Sequence, residues 1–251
     1  MIEAVFISDL HLHPQDLAIQ ARFEYFIQWA LQHVRRVYIL GDFFHVWAGD
    51  DALDDWSRGI AEQLALLHAN GIEVYLMVGN RDFLIGKAFA QLASVTLLQE
   101  PTVIELGDNK VLLVHGDAYC TADKSHQFLR RLTRNALFPA LFLRLSLKCR
   151  QKIVFFMRKK SQLRHPKPKA QMSIVVASML EHLQAMQVQN VIHGHIHQPG
   201  ANTYTVQGVQ YQQYVLSDWD DKPILMCYDK SKGFYFEHLF AGVIENGTQS
   251  S

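Results

Sequence analysis

Acidic residues are missing from one long stretch of an otherwise balanced chain. Between Asp123 and Glu181 there is no Asp or Glu, although the 251 residues hold 24 acids against 24 Lys and Arg. Cysteine is also scarce. Cys120, Cys149 and Cys227 are far apart and form no CxxC, which excludes a disulfide scaffold or a thiolate metal centre and suits a reducing compartment. No apolar run approaches the roughly 18 residues of a spanning helix. No basic n-region followed by an apolar segment succeeds Met1-Ile2-Glu3, so a cytoplasmic protein without a signal peptide is expected. Net charge is zero, which removes any whole-protein argument for nucleic acid as partner. No repeat of domain scale is present.

What the chain does have is a recurrent way of ending strands. Tyr38-Ile39-Leu40-Gly41-Asp42 is a short apolar run that closes on a carboxylate. Val5-Phe6-Ile7-Ser8-Asp9-Leu10-His11 ends in Asp-x-His, and Val74 to Asp82 ends in Gly-Asn-Arg-Asp. Val111 to Asp117 ends in His-Gly-Asp, and Val191 to His197 ends in Gly-His-x-His. In open α/β sheets, ligands gather just past the carboxyl ends of strands. Helical spacing over 16–33 and up to Asn70, alternating with these strands, argues an α/β protein with a largely parallel or mixed sheet. Gly107-Asp108-Asn109 marks a hairpin. The expected organisation is one domain over 1–251, with a helical cap insertion at about 122–186.

That insertion holds more than half of the Lys and Arg, interleaved with Leu137, Phe138, Leu141, Phe142, Leu145, Phe155 and Phe156. Basic and apolar residues at helical spacing suit an anionic, partly greasy partner such as a membrane surface or acylated substrate. An ordinary amphipathic helix packed on the body is the alternative. Phe138, Phe142 and Leu145 are expected to touch an acyl chain.

The strand-end donors are Asp9, His11, Asp42, Asn80, His115, His195 and His197. Carboxylate, imidazole and amide oxygen suit Mn²⁺, Fe²⁺ or Zn²⁺. Seven donors exceed one first-row ion and fit two ions sharing a bridge, with Asp42 the candidate bridge. Such a pair clamps a phosphoryl oxygen and activates water as hydroxide. Arg81 would neutralise charge on the non-bridging oxygens. His13, His33, His45, His68 and His193 read as ordinary core or surface histidines.

Asp9-x-His11, Gly41-Asp42, Gly79-Asn80-Arg81-Asp82, His115 and Gly194-His195-x-His197 together resemble the motif set of the calcineurin-like metallophosphoesterases. The resemblance spans residues 9–197. It implies a four-layer αββα sandwich of mixed sheets. It places Asp9, His11, Asp42 and His197 around one ion and Asp42, Asn80, His115 and His195 around the other. Most of that family carries Gly-Asn-His, whose histidine serves as an acid near the leaving group. Arg81 stands in its place and donates no proton, which suits an anhydride whose leaving group is itself a phosphate.

Gly-Asn-Arg-Asp-Phe, with a basic helical insertion after His-Gly-Asp, resembles the branch that splits the pyrophosphate of UDP-2,3-diacylglucosamine in lipid A biosynthesis. The implied products are UMP and 2,3-diacylglucosamine 1-phosphate (lipid X). The implied cofactor is two Mn²⁺ ions, and the implied place is the cytoplasmic face of the inner membrane, as a peripheral monomer. Asn80, Arg81 and His115 would be catalytic, and these with His195 would also meet substrate. Asp123 and Ser161 match the cap pattern, with Lys167 and Lys169 as further candidates. The rival readings are a dimetal enzyme acting on another nucleotide or nucleic-acid ester or anhydride, and a non-catalytic scaffold. The scaffold would have eroded donors, whereas all seven are present.

Overall fold

The computed structural model describes residues 1–135, 137–163, 173–220 and 222–240, without the side chains of 158–163. Two mixed sheets lie face to face. The first has the order β11-β10-β1-β2-β3-β4, made of β1 (Ala4–Ile7), β2 (Arg36–Leu40), β3 (Glu73–Met77), β4 (Thr96–Leu98), β10 (Ile224–Asp229) and β11 (Gly233–His238). β1 to β4 run parallel, and β10 and β11 are appended antiparallel. The second has the order β5-β6-β7-β9-β8, made of β5 (Thr102–Leu106), β6 (Asn109–Leu113), β7 (Asn190–His193), β8 (Gly200–Val206) and β9 (Val209–Val215). β6, β7 and β9 are parallel neighbours.

The central parallel strands β1, β2 and β7 read as largely apolar runs because both faces are buried. On β1, Ala4 and Phe6 face the second sheet, with Tyr38, Leu40, Leu113 and Ile192 in the same cluster. Val5 and Ile7 face outward, against helices α1 (Leu17–His33), α2 (Asp55–Ala69) and α3 (Lys87–Leu92). Phe23, Phe26, Ile27 and Ala30 put the buried stripe of α1 at i, i+3, i+4 and i+7. Full burial of a ring such as Phe26 stabilises by roughly 1.5–3 kcal/mol. Asp16 caps α1 by accepting Ile19 N–H, and Asp54 forms a capping box with Ser57 at α2. The layers are helix, sheet, sheet, helix, as the motifs imply.

The helical stretch after β6 divides in two. α4 (Lys124–Thr133), α5 (Leu137–Phe142) and α6 (Leu147–Leu163) form the cap, whereas α7 (Val176–Ala185) buries Met179 and Leu183 on the second sheet beside Leu112 and Val191. α7 is therefore the outer layer of the sandwich and the crossover between parallel β6 and β7.

Two expectations for the cap change. Phe142 is only 8% exposed and joins the main core, and Phe138 stacks on it at 5.3 Å and packs against the same cluster. Leu145, the third residue of the expected set, is exposed, as are Phe128, Leu137, Leu141, Phe155 and Phe156 among others. Several cap cations are also committed to the body. Arg150 is buried and donates to the carbonyls of Leu145 and Ala48 and to Asp51. Arg130 and Arg134 pair with body carboxylates. Arg131, Arg144, Lys148 and Lys152 remain exposed. No helix of the described residues is long and apolar enough to cross a membrane.

Candidate dimetal site

The carboxyl ends of β1, β2, β3, β6 and β7 converge on one cleft, bringing together all seven donors from two sheets. Main-chain bonds stitch the strand-end loops to one another. Asp9 N–H donates to Gly41 O at 3.0 Å, His11 N–H to Asp42 O at 2.9 Å and Gly194 N–H to His115 O at 2.9 Å. Two motif glycines are required by close approach. A Cβ at Gly79 would collide with Asp42, and one at Gly194 would collide with Ser8 Oγ and Asp9 Oδ2.

Among the described residues eight non-glycine positions have positive φ, and five are donors: Asp9, His11, Asp42, His195 and His197. Asp and His tolerate this region better than most residues, yet each still costs on the order of 1 kcal/mol. The loops accept that strain to aim side chains inward.

Asp42 sits at the centre. Its Oδ2 lies 3.3 Å from His11 Nε2 and its Oδ1 3.8 Å from His115 Nε2, so one carboxylate addresses both halves of the cleft. Asp9 Oδ1 lies 3.3 Å from His197 Nε2. Two groups of donor atoms are close enough to share an ion: Asp9, His11 and His197, and Asp9, Asp42 and His115. His115 Nε2 is 3.1 Å from Asn80 Oδ1, and the His115 and His195 ring centroids are 5.1 Å apart.

Asp9 Oδ1 is buried and, apart from its 3.3 Å approach to His197 Nε2, has no hydrogen-bond partner among the described residues. His115 Nδ1–H donates to Leu40 O at 2.9 Å, which leaves Nε2 facing the cleft. Burial opposes charge on His115, but Asp42 and Asp9 outweigh it and raise its pKa to about 9. Burial opposes ionisation of Asp9 and Asp42 too, yet the surrounding imidazoles hold Asp9 down to about 2 and Asp42 lower still. Burial, with His115 beside it, lowers His195 to about 4 and keeps it neutral. Ionised carboxylates, an unsatisfied oxygen, imidazole nitrogens and an amide oxygen converging on one cleft suit divalent first-row cations.

Arg81 is at the rim with its side chain 26% exposed. Its Nε lies 3.3 Å from Asp42 Oδ2, its main-chain N–H donates to Asp42 Oδ1 at 2.8 Å, and Nη1 donates to His45 Nδ1 at 3.3 Å. Asp123 caps α4, accepting His126 N–H at 3.0 Å and Ser125 Oγ–H at 2.8 Å. The Ser161 side chain, Lys167 and Lys169 lie outside the described residues.

Some supporting residues were not anticipated. His45, read as an ordinary histidine, holds Arg81 and stands edge-on to His11 at 6.5 Å. Asp82 is buried and binds three main-chain N–H groups of two donor loops. This keeps 79–85 a loop, and α3 starts at Lys87. Asp218 pairs with His197 Nδ1 at 3.2 Å. His193 does match its ordinary reading: it is buried, takes a hydrogen bond from Gln213 at 2.8 Å, and is pushed down to about 4 by burial. For His45 the only sequence signal is its place three residues after Asp42, and for Asp82 its place in the Gly-Asn-Arg-Asp run.

A profile described as calcineurin-like phosphoesterase matches residues 3–199. A UDP-2,3-diacylglucosamine hydrolase of Pseudomonas entomophila is 40% identical over 215 residues, covering 85% of this chain and 90% of the relative. Its namesake in Pseudomonas aeruginosa is 40% identical over 222 residues, covering 87% and 92%. A solved structure described as a novel archaeal phosphodiesterase aligns with a TM-score of 0.47 at 11% identity, covering 94% of this chain and 98% of that one.

Proposed function

The chain belongs to the calcineurin-like phosphoesterases and, among them, to the UDP-2,3-diacylglucosamine hydrolases, and from that premise we propose that it hydrolyses the pyrophosphate bond of UDP-2,3-diacylglucosamine to UMP and 2,3-diacylglucosamine 1-phosphate. The observation that carries the chemistry is Arg81 at the rim of a seven-donor cleft, in the position where the wider family carries an acid. Two Mn²⁺ ions are the proposed cofactor. Asp9, His11, Asp42 and His197 would hold one, and Asp42, Asn80, His115 and His195 the other. Bound there, the ions would supply Lewis acidity toward the phosphoryl oxygens and activation of the attacking water.

The chain's own groups do the rest. Asp42 directs one oxygen to each half-site. Leu40 O fixes the His115 tautomer, and Asp218 supports His197. The Arg81 fork, steadied by His45, grips phosphate oxygens and stabilises developing charge. The leaving phosphate departs without a proton, so an arginine suffices. Phe128, Leu137, Leu141, Phe155 and Phe156 give the cap an exposed apolar surface for acyl chains, with Asp123, Ser161, Lys167 and Lys169 as candidate contacts to the sugar phosphate. The basic cap suits peripheral attachment of a monomer to the cytoplasmic face of the inner membrane.

The test is incubation of Mn²⁺-loaded protein with UDP-2,3-diacylglucosamine and with UDP-glucose, followed by mass spectrometry of the products. UMP and the diacylated sugar phosphate, formed far faster from the acylated substrate, are expected. Equal rates on both, or cleavage elsewhere, would refute the assignment.

A further inference from the structure

Helix α4 is bound to the second proposed half-site through three separate contacts, one leading to each of its histidines and one to its asparagine. Glu100, whose side chain is 5% exposed, accepts the main-chain N–H of His115 through Oε1 at 2.8 Å. Its Oε2 pairs with Arg130 at 3.1 Å and Arg134 at 3.5 Å, both on or at the end of α4. Arg134 Nη2 also donates to Val78 O at 2.9 Å, the carbonyl that leads into Gly79-Asn80. The third contact is a ring stack: His126 lies on His195 with centroids 5.3 Å apart and planes 29° from parallel. Asp117, with no exposed side-chain area, completes the girdle by accepting Arg130 Nε–H at 3.0 Å and facing His126 Nε2 at 3.8 Å.

We propose that Glu100, gripping Arg130 and Arg134, is a positioning residue that ties docking of the cap helix to the geometry of the half-site formed by Asn80, His115 and His195. The proposal rests on reading that half-site as a cation site. Lifting α4 off the body would strip Glu100 and Asp117 of their guanidinium partners while leaving both carboxylates close to His115. Breaking one side of a buried ion pair is strongly unfavourable. The docked cap therefore holds the His115 main chain, the Val78 carbonyl and the His195 ring in one arrangement. Coupling of this kind is reciprocal: a cation that fixes those donors favours the docked helix by the same factor. The other half-site draws support from a different source, since His197 pairs with Asp218 at 3.2 Å.

The experiment uses the full chain. Mn²⁺ binding is followed by electron paramagnetic resonance, and amide hydrogen exchange in α4 is compared with and without Mn²⁺. Glu100→Gln keeps the Oε1 acceptor for His115 and removes the charge that grips the arginines. One of two Mn²⁺ binding events should weaken about tenfold, in the range seen when groups supporting metal ligands are lost. Mn²⁺ should slow α4 exchange in the wild type and much less in the variant. Arg134→Met removes the guanidinium whose Nη2 meets both Glu100 and the Val78 carbonyl. It should shift both readouts the same way, and it decides the matter if Glu100→Gln fails to fold. Arg131→Met, an exposed change on α4, should bind Mn²⁺ as the wild type does. Unaltered affinity for both ions in the Glu100 and Arg134 variants, or α4 exchange insensitive to Mn²⁺ in the wild type, would overturn the proposal. Linked binding in a protein that leaves UDP-2,3-diacylglucosamine intact would overturn the substrate assignment and leave this coupling standing.

Discussion

Asp82→Asn separates the shape of a buried side chain from its hydrogen-bonding capacity. Asp82 Oδ1 accepts Gly79 N–H at 2.6 Å, and Oδ2 accepts Phe43 N–H at 2.7 Å and Phe44 N–H at 3.3 Å. One carboxylate thus fastens the loop that carries Asn80 to the loop that follows Asp42. An amide of the same size has a single oxygen. Turned toward Phe43 and Phe44, it leaves its NH₂ against Gly79 N–H, donor facing donor. The loss is one charge-assisted hydrogen bond, about 1.5–3 kcal/mol, together with the desolvation cost of an unpaired donor. Relief works in the other direction, because burial and the nearby Asp42 already push Asp82 up to about 6. Removing that charge returns part of the loss, and the net comes to about 2 kcal/mol. For a chain of this length the melting temperature should fall by about 4–8 °C. The donor loops should also slip, weakening Mn²⁺ binding by about 10- to 100-fold. Thermal denaturation of the metal-free protein at neutral pH and a Mn²⁺ titration measure the two effects. A variant that melts and binds Mn²⁺ like the wild type would refute the idea that Asp82 holds the loops in register.

Arg81→Lys should lower kcat/KM on the pyrophosphate by about 100-fold, since it keeps the charge and loses the two-pronged grip. Arg81→His should do no better, and an Arg81→His enzyme as fast as the wild type would remove the clamp role. In the cap, Phe142→Ala should cost about 3–5 kcal/mol of stability as a core truncation, read by urea denaturation. The double change Phe155→Ser and Phe156→Ser, at exposed positions, should leave stability within about 0.5 kcal/mol. Its effect should appear as a raised KM for diacylated substrate, and an unchanged KM would take those rings out of the acyl site.

The donors were legible because each lies within a few residues of a buried strand's last apolar position, and strands buried on both faces announce themselves as Val/Ile/Leu runs. Asp9, Asp42 and His115 needed only that rule, applied to β1 and β2 of one sheet and β6 of the other. The supporting residues were not legible, because the sandwich and not the chain order brings them together. Glu100 reaches His115 from fifteen residues away, and Asp218 reaches His197 across a hairpin. The cap was legible only in part, for a related reason. An acid-free segment looks free to meet an anionic partner, but its counter-charges lie elsewhere in the chain: Asp51 for Arg150, and Glu100 and Asp117 for Arg130. Likewise Phe138 and Phe142 follow the same helical spacing as their exposed neighbours. Only packing against Phe83 and the core distinguishes them.

The central claim is that Asp42 joins two cation sites into one hydrolytic centre. Mn²⁺ stoichiometry and turnover of UDP-2,3-diacylglucosamine, measured together on wild type and Asp42→Ala, test it most directly. The expected result is two ions per wild-type chain, activity that rises with the second ion and vanishes with chelation, and a folded Asp42→Ala protein that loses tight binding at both sites and all turnover. Wild-type turnover by a folded Asp42→Ala protein, or full activity with one ion bound, would contradict it.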